Sequence, residues 1–554
     1  MRLKTLATAA ALICVPPLAA QPSAPPASGP PKLLVVISVD QFSADLWDEY
    51  RPHFTAGLAR LGSGAAFRNG YQSHAATETC PGHSTILTGS HPARTGIIAN
   101  NWVDQGVPRS DVGIYCAEDE RVPGSSSSNY TVSPVHLLVP TLGELLKQAR
   151  PGSRNVAIAG KDRAAVMMSG HVADQRWYWT GQKFETDLKG AAVPQAVVKG
   201  NAAIAKALLE YREPMEAPAF CQAKARPIAI ENSEKIVGNG LFARNAEDAA
   251  AFRASPELDG DTLAIAAGLV DELQLGKRPD PDVLAISLSA TDYVGHTFGT
   301  EGQEMCLQLL ELDREIGDFL AVLDSRGIPY SVVLTGDHGG KDVPERERLA
   351  GAPGAARVDP ALAAGTMGLK LAAKLGIKGF GLVGESAFGD MYLDSALGPR
   401  DRQRLLTAAV AAYRAHPQVE AVFTADQLKA TRVPSTAPDK WSLIERARAS
   451  FYPGRSGDFV VLLKKDVTPI SDTSRYVATH GSAWDYDRRV PVLFWRPGMT
   501  PAPSDAVVDT TDIMPTLAAT IGLPLQPGSV DGHCLAAAAP CPSESAGSTE
   551  RGKR

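Results

Sequence analysis

The chain contains 554 residues, 44% of them hydrophobic, so it is long and apolar enough for one large domain with insertions or for two to three domains. The formal net charge is −6, and the longest basic stretch is the short segment at residues 551–554. Both observations argue against nucleic-acid binding.

The N-terminal 20 residues are typical of an export signal. Arg2 and Lys4 give it a positive start, residues 6–15 form a short apolar run, and residues 18–20 end in the small side chains that a signal peptidase requires. The apolar run is too short to remain in a bilayer as a spanning helix. We therefore expect cleavage near Ala20 and a mature chain that is periplasmic or secreted and has no transmembrane segment.

Composition divides the rest of the chain into a linker, a large domain and a tail. Residues 21–31 are rich in Pro, Ser and Ala and indicate a linker. Residues 542–554 are small, polar and charged, and we expect them to be disordered. Residues 32–541 would form a single domain with insertions at about 175–260 and 340–455, where the alternation of strands and helices is interrupted.

Six apolar, β-branched segments predict buried strands. They are residues 33–39, 156–159, 283–288, 332–334, 459–463 and 490–495. Helical patterns lie between several of them, most clearly at residues 44–61 and 305–320. This alternation predicts an α/β fold with a doubly wound, mostly parallel central sheet flanked by helices and with inserted subdomains.

The two predicted insertions carry patterns of their own. The first contains the aromatic cluster Trp177-Tyr178-Trp179, which either lines a binding cleft or packs in the core. The second begins with a Gly/Ala/Pro-rich segment at residues 350–361 and has helical patterns near residues 359–375 and 399–415.

The cysteines are consistent with an exported protein. Of the seven, Cys14 lies in the export signal, which leaves an even number that permits disulfides. Cys534 and Cys541 flank a short loop and are the most plausible pair. The sequence does not pair the other four, which could equally be buried free thiols: Cys80, Cys116, Cys221 and Cys306.

Acidic and imidazole side chains cluster after the predicted strands. All but the last of the following six come directly after such a strand: Asp40, Asp292, His296, Asp337, His338 and His480. Because the carboxyl ends of parallel strands meet at one edge of a sheet, we expect these groups to converge. Taken singly, a strand-end Asp can cap a helix and a lone His can be structural. Together, carboxylates and imidazoles suit divalent zinc and predict a metal-dependent hydrolase.

A hydroxyl-rich segment, residues 77–85, precedes a helix-like stretch. Pro81 suits the first turn of a helix, where a zinc-bound hydroxyl could ionise near neutral pH. Four hydroxyl residues compete as nucleophile, and each could instead cap the helix: Thr77, Thr79, Ser84 and Thr85. A sulfatase-like nucleophile at Cys80 is disfavoured, because Pro81 comes one place too early and Ser84 stands where Arg would be needed.

An ordered set of motifs gives the chain a resemblance to a known family. The set spans about residues 32–525 and includes Ser38-Val-Asp40, Thr79-Cys-Pro-Gly-His83, Gly96-Ile-Ile-Ala-Asn100, Lys161-Asp-Arg163, Ser289-Ala-Thr-Asp292-Tyr-Val-Gly-His296, Thr335-Gly-Asp337-His338-Gly and His480-Gly-Ser. The chain resembles the alkaline phosphatase superfamily, and within it the atypical bacterial alkaline phosphatases of the PafA/PhoK type, which use a threonine nucleophile. The resemblance implies an exported alkaline phosphatase that hydrolyses phosphate monoesters through a phosphothreonine intermediate.

The resemblance also implies a role for each site residue. Two zinc ions would be bound, and their ligands would be Asp292, His296 and His480 for one ion, and Asp40, Asp337, His338 and Thr79 for the other. Thr79 would attack phosphorus. Asn100 would hydrogen-bond a phosphoryl oxygen, and the backbone N–H of Cys80 could do the same.

Lys161 and Arg163 separate two substrate classes. A phosphate monoester dianion has two charged oxygens that need cationic partners, whereas a diester carries a second organic group there. Both residues follow the predicted strand at 156–159, although a solvated turn would look the same. The related nucleotide pyrophosphatase/phosphodiesterase family lacks this pair. We therefore predict a monoesterase, with phosphodiesterase as the alternative, and expect a monomer that takes small-molecule phosphate monoesters.

Overall fold

The computed structural model describes residues 29–238, 240, 242–384 and 386–542. The predicted export signal, most of the predicted linker and nearly all of the predicted tail lie outside these ranges. Every helix within them is too short or too polar to cross a bilayer.

A nine-stranded sheet forms the centre of the fold. Its strands are β1 Leu33–Val39, β2 Ala65–Tyr71, β3 Asn155–Ala159, β4 Gln175–Trp179, β5 Phe184–Glu185, β6 Asp282–Leu288, β7 Tyr330–Gly336, β8 Arg489–Trp495 and β9 Ser504–Asp509. They lie in the order β9-β2-β8-β7-β1-β6-β3-β4-β5. The pairs β7–β8, β8–β2 and β4–β5 are antiparallel, and the other neighbours are parallel.

Strand β1 shows why the sheet is covered on both faces. Its residues alternate between two hydrophobic cores: Leu33, Val35 and Ile37 contribute to one, and Leu34 and Val36 to the other. An unbroken apolar run is what a strand needs when neither face meets water. The predicted α/β fold with a doubly wound, mostly parallel sheet is therefore confirmed.

Helices pack on each face of the sheet. The helices of the first face are Ala44–Tyr50, Gly57–Gly62, Gln195–Leu208, Pro256–Glu272, Ala290–Phe298 and Gln303–Ser325. Those of the second face are Thr79–Thr88, Leu142–Ala149, Asp162–Ser169 and Ile513–Thr520. Further helices are Pro92–Thr95, Ala219–Gln222, Ala249–Arg253, Pro344–Leu349, Ala425–Ala430, Leu443–Ser450 and Asp485–Arg488.

The helix predicted over residues 44–61 is wrong as a continuous element. The chain forms Ala44–Tyr50, a 3₁₀ turn at Arg51–His53, and a new helix at Gly57–Gly62. The break has a distant cause: the carboxylate of Asp313 accepts hydrogen bonds from the backbone N–H groups of Thr55 at 2.7 Å, Ala56 at 2.9 Å and Leu58 at 2.7 Å. This side chain caps the second helix from outside the segment.

A smaller sheet forms a subdomain, which we call the small-sheet subdomain. Its four strands, in spatial order, are Leu382–Val383, Gly389–Leu393, Phe459–Leu463 and Val419–Thr424, and the helices Ala364–Leu375 and Pro399–Arg414 pack on it. The predicted strand at residues 459–463 therefore exists but belongs to this sheet, so the subdomain includes a strand beyond residue 455. Three two-stranded pairs complete the fold: Asn101–Val103 with Gly113–Tyr115, Ile228–Ala229 with Ile236–Val237, and Ala356–Arg357 with Val467–Thr468.

The first predicted insertion contributes to the central sheet. Strands β4 and β5 and the helix Gln195–Leu208 come from this segment, and the helix Pro256–Glu272 begins at its end. Both helices cover the first face. Trp177 and Trp179 lie on β4 with their rings in the core, 2% and 6% exposed. Of the two interpretations of this aromatic cluster, the structure therefore favours core packing.

All six described cysteines form disulfides. Cys534 pairs with Cys541 as expected. The remaining bonds are Cys80–Cys116 and Cys221–Cys306, so the alternative of buried free thiols is wrong for these four residues. The partners are 36 and 85 residues apart in the chain, and only the fold brings them together.

Candidate active site

The candidate site lies where three parallel strands end at the same level. Val39 of β1 is in register with Leu288 of β6 and with Gly336 of β7. The residues that follow these strands are therefore forced to one edge of the sheet. These residues include Asp40 directly after β1 and Asp337 directly after β7.

Thr79 differs from the other three candidate hydroxyls in its surroundings. It is the first residue of the helix Thr79–Thr88 and is fully buried. Thr77, Ser84 and Thr85 each donate a hydrogen bond from the hydroxyl to a backbone carbonyl, at 2.7, 2.8 and 2.8 Å. The hydroxyl of Thr79 instead faces two cationic side chains, which makes it the candidate that the geometry favours.

These two cations are Lys161 and Arg163. Lys161 Nζ lies 3.5 Å from Thr79 Oγ1, and Arg163 Nη2 lies 3.4 Å from the same atom. Lys161 precedes the helix Asp162–Ser169, which follows β3 and packs beside the helix of Thr79. Tyr115 supports this corner, because its hydroxyl lies 3.4 Å from Arg163 Nη1 and donates to Asp162 at 2.7 Å.

Asn100 lies beside the helix of Thr79 and fixes its first turn. Its side-chain oxygen accepts the backbone N–H of Cys80 at 2.8 Å, and its own backbone N–H donates to Glu78 at 2.6 Å. The side-chain N–H₂ of Asn100 is used in neither of these two hydrogen bonds. The N–H of Cys80 is already engaged, so the phosphoryl contact predicted for it requires this bond to exchange.

Asp292, His296 and His480 come together as one group. Asp292 and His296 are four residues apart on the helix Ala290–Phe298, and therefore share a face. Asp292 Oδ1 lies 3.2 Å from His296 Nε2 and 3.4 Å from His480 Nε2. The predicted convergence of the distant His480 on this helix is therefore present in the structure.

Asp40, Asp337 and His338 form a second group, and all three are fully buried. His338 Nε2 lies 3.4 Å from Asp40 Oδ1 and 3.4 Å from Asp337 Oδ2. The possible ligand atoms of this group lie within 4.8 Å of one another, and the same holds for Asp292, His338 and His480. His338 therefore joins the two groups.

The three histidines present the same nitrogen to the site. The Nδ1 atoms of His296, His338 and His480 lie 2.7, 2.8 and 2.8 Å from the backbone carbonyls of Ala478, Gly339 and Thr77. A carbonyl accepts only from a protonated nitrogen, so each ring carries a proton on Nδ1 and turns Nε2 toward the carboxylates of the site. This is how protein histidines are oriented toward metals.

The donor set fits a metal ion on two further observations. Asp40 Oδ1 and His338 Nε2 are buried and have no hydrogen-bond partner, an arrangement that is costly unless a cation satisfies them. Burial lowers the pKa of His338 to about 3, so its imidazole is neutral at neutral pH, as a metal ligand must be.

Lys161 also contacts the carboxylates of both groups. Its Nζ lies 2.6 Å from Asp40 Oδ2 and 2.5 Å from Asp292 Oδ2. Burial disfavours the charged form of Lys161, but Asp292 and Asp40 outweigh it and raise the pKa of Lys161 above its ordinary value. For Asp292, burial is outweighed by His296 and Lys161, which hold the pKa of this carboxyl well below its usual range. Lys161 is therefore charged throughout the physiological range.

Two residues of the site had no role in the sequence-based prediction. His83, one turn after Thr79, lies 3.0 Å from Asp337 Oδ2 through Nδ1 and 2.9 Å from Ser287 Oγ through Nε2. Gln41, the second residue after β1, donates its backbone N–H to Asp337 Oδ1 at 3.1 Å. His83 could have been found from its helical spacing to Thr79, whereas nothing in the sequence marks Gln41.

Three features occur together at the carboxyl edge of the mostly parallel sheet: a hydroxyl at a helix N-terminus, two cationic side chains beside it, and two carboxylate–imidazole groups. This combination places the protein among metal-dependent hydrolases. Comparison with known proteins narrows the class. Residues 34–483 match the family described as type I phosphodiesterase / nucleotide pyrophosphatase. The chain is 53% identical to alkaline phosphatase PhoK of Sphingomonas sp over 92% of its own length and 91% of that protein.

Two further relatives agree with this assignment. The chain is 48% identical to alkaline phosphatase PhoD of Zymomonas mobilis over 91% of its length and 88% of that protein. The crystal structure of alkaline phosphatase PafA superimposes with a TM-score of 0.79 at 25% identity, covering 92% of this chain and 99% of that chain. The chain therefore belongs to the alkaline phosphatase superfamily and, within it, to the PafA/PhoK type. The predicted resemblance, and the enzyme class of phosphoric monoester hydrolase that goes with it, are confirmed.

Proposed function

We propose that this protein is an exported, zinc-dependent alkaline phosphatase that hydrolyses small phosphate monoesters through a phosphothreonine at Thr79. The observation that carries the proposal is the position of Lys161 and Arg163, both within 3.5 Å of Thr79 Oγ1. Two fixed cations beside one hydroxyl match the two charged oxygens of a phosphate monoester dianion.

The metal ligands follow from the two groups. Asp292, His296 and His480 would hold one zinc ion, and Asp40, Asp337 and His338 the other, with Thr79 as its further ligand. Bound zinc would supply a Lewis acid that favours an ionised hydroxyl and offsets the negative charge of the attacking and leaving oxygens.

The reaction of the chain's own residues has two steps. In the first, Thr79 Oγ, having lost its proton to solvent, bonds to phosphorus while the bond from phosphorus to the leaving oxygen breaks. In the second, a water molecule attacks the phosphothreonine, restores the Thr79 hydroxyl and releases inorganic phosphate. Asn100, Lys161 and Arg163 would hold the non-bridging oxygens, whose charge grows in each transition state.

Phosphodiester hydrolysis is the second candidate function, because the matching family is described by that activity. A diester has a single charge on its non-bridging oxygens, so Arg163 would lack a partner, and the second organic group would meet the buried cations. The site therefore favours monoesters.

The test is the ratio of kcat/KM for 4-nitrophenyl phosphate to that for methyl 4-nitrophenyl phosphate, measured on the zinc-loaded protein. We expect the monoester to be favoured by several orders of magnitude. A ratio near or below one would overturn the monoesterase proposal and favour the phosphodiesterase.

We also propose that the protein is exported and that it is a monomer. Three disulfides in the described residues favour an oxidising compartment, in agreement with the predicted signal at residues 1–20. N-terminal sequencing of the protein recovered from the periplasm should start near residue 21, and full-length protein there would contradict cleavage. Light scattering should report the mass of one mature chain, and a larger mass would contradict the expected monomer.

A further inference from the structure

A cavity of about 900 Å³ lies between the small-sheet subdomain and the loops that carry the candidate site. One wall includes Glu78 and Gly481, which are the chain neighbours of the proposed nucleophile and of one proposed metal ligand. Phe388 and Asp390 of the subdomain also line the cavity. The cavity is therefore next to the site, and none of the proposed metal ligands lines it.

The walls of this cavity are largely apolar and aromatic. Trp102, Phe388 and Tyr392 contribute aromatic rings. Two further lining residues, Phe380 and Leu369, leave 65% and 51% of their surface exposed. Large apolar side chains exposed beside a cavity are typical of a surface that binds an organic ligand.

The charges of the cavity have a single sign. Among its described lining residues the charged side chains are all carboxylates, those of Glu78, Asp111 and Asp390, without any Lys, Arg or His. Asp111 is satisfied locally, since it accepts hydrogen bonds from the backbone and hydroxyl of Ser127, each at 2.7 Å.

Glu78 and Asp390 have hydrogen bonds but no cation as a close partner among the described ion pairs. Glu78 accepts the backbone N–H of Asn100 at 2.6 Å, and Asp390 accepts that of Gly457 at 2.6 Å. Burial raises the pKa of Asp390 to about 7, and the nearby Glu78 contributes to the rise. Two carboxylates that share a partly apolar cavity are stabilised most by a cation brought from outside.

The contrast with the adjacent phosphate site points to the ligand. Lys161 and Arg163 lie within 3.5 Å of Thr79 Oγ1 and suit a dianion. The lining of the cavity combines carboxylates with apolar groups, and suits a cation surrounded by apolar groups. Aromatic rings attract ammonium groups, and the carboxylates add direct charge complementarity.

We propose that this cavity binds the leaving group of the substrate and that it selects phosphate monoesters whose apolar alcohol carries an ammonium group. The inference rests on the proposed phosphatase function and specifies its substrate class. A neutral apolar leaving group would contact only the apolar walls of the cavity. An anionic leaving group would be repelled by Glu78 and Asp390.

The test compares two aryl phosphates that differ in one atom. In 4-(2-trimethylammonioethyl)phenyl phosphate the quaternary nitrogen carries the charge, and in 4-(3,3-dimethylbutyl)phenyl phosphate a carbon replaces it. Their leaving groups have similar shape and reactivity. We expect the wild-type kcat/KM to be about tenfold higher for the ammonium ester, which corresponds to one good charged contact. Equal values, or a preference for the neutral ester, would overturn the proposal.

Variants assign the effect to the cavity. Asp390→Asn keeps an acceptor for Gly457 but removes the charge, and should bring the ratio of the two esters close to one. Asp426→Asn makes the same change in the same subdomain at a side chain that is 96% exposed, and should keep the wild-type ratio. Phe380→Ala should lower kcat/KM for both esters by the same factor. A preference that survives in Asp390→Asn would contradict the proposal.

Calorimetry with the ammonium phenol, the product alcohol, separates this inference from the phosphatase proposal. The phenol should bind the wild-type protein more tightly than its neutral isostere, and Asp390→Asn should remove the difference. Absence of turnover with both esters would defeat the phosphatase proposal, while the calorimetric difference would still decide whether the cavity selects an ammonium group.

Discussion

The side-chain amide of Gln41 donates a hydrogen bond to Asp292 Oδ1 at 3.2 Å, although the two residues follow different strands of the sheet. The backbone of Gln41 is left-handed, with φ of 64°, a conformation that costs a non-glycine residue about 1 kcal/mol or more. Its N–H donates to Asp337 at 3.1 Å. One strained residue thus orients a carboxylate of each proposed metal group.

Gln41→Ala should weaken zinc binding by about 10- to 100-fold, the range typical of residues that orient metal ligands. Competition with a chelator measures this affinity without reference to activity. Gln41→Gly should lose the same affinity but melt at a higher temperature than Gln41→Ala in the metal-free form, because glycine relieves the strained backbone. The exposed Gln526→Ala is the control. Wild-type zinc affinity in Gln41→Ala would contradict the positioning role.

Thr79→Ala should retain its zinc but lose turnover by several orders of magnitude. The reason is that none of the other candidate hydroxyls of residues 77–85 faces Lys161 and Arg163. Thr79→Ser keeps a hydroxyl and should keep measurable turnover. Acid quenching with ³²P-labelled substrate should leave label on the wild-type protein and on Thr79→Ser but not on Thr79→Ala. Labelled Thr79→Ala protein would place the nucleophile elsewhere.

Arg163→Ala should reduce kcat/KM for monoesters by about 10²-fold and change diester hydrolysis little, since removal of one donor to a developing charge has this magnitude. Lys161→Ala should show the same selectivity. Equal losses on both substrate classes would remove the physical basis of the monoesterase proposal.

Lys161 should also stabilise the protein when zinc is removed, because its ammonium lies between Asp40 and Asp292. In the presence of a chelator, Lys161→Ala should therefore melt well below the wild type, whereas Arg163→Ala, which has no such ion pair with these carboxylates, should melt closer to it. Added zinc should reduce the difference in melting temperature between Lys161→Ala and the wild type. Equal melting of the two metal-free variants would show that this contact does not stabilise the fold.

The ionisation of His91 should make the free energy of unfolding depend on pH. Burial disfavours its charged form, but Asp509 and Asp531, each 3.3 Å away, raise the pKa of His91 to about 10. Because the folded pKa exceeds the unfolded value of about 6.5, the stabilisation is complete below pH ~6.5 and is lost as pH rises toward 10. His91→Gln should lower the free energy of unfolding by about 3 kcal/mol at pH 6 and by much less above pH 10.

Urea unfolding of both proteins at pH 6, 8 and 10 checks this prediction, and the exposed His53→Gln serves as the control. A difference that is constant with pH would show that His91 stabilises the fold through packing alone.

Local sequence is enough to predict most of the candidate site and five of the nine central strands, which are β1, β3, β6, β7 and β8. A buried parallel strand is a continuous apolar run, and residues such as Asp40 and Asp337 follow it directly. The features that escaped prediction depend on contacts between distant segments. Asp313 caps the start of the helix Gly57–Gly62 from more than 250 residues away, and the strand Phe459–Leu463 joins a separate sheet. The left-handed backbone of Gln41 likewise reflects the packing around it.

We expect the disulfide between Cys80 and Cys116 to link the proposed export of the chain to the catalytic competence of the site. Cys80 follows the proposed nucleophile, and Cys116 follows Tyr115, whose hydroxyl lies 3.4 Å from Arg163. A chain still in the reducing cytosol would lack this crosslink, and the two halves of the phosphate-binding corner would be held less firmly. We expect the precursor to be nearly dormant there, so that the cell's own metabolites are spared until the enzyme has left. Assaying the protein before and after oxidation of its thiols would measure this latency, and equal activities would argue against it.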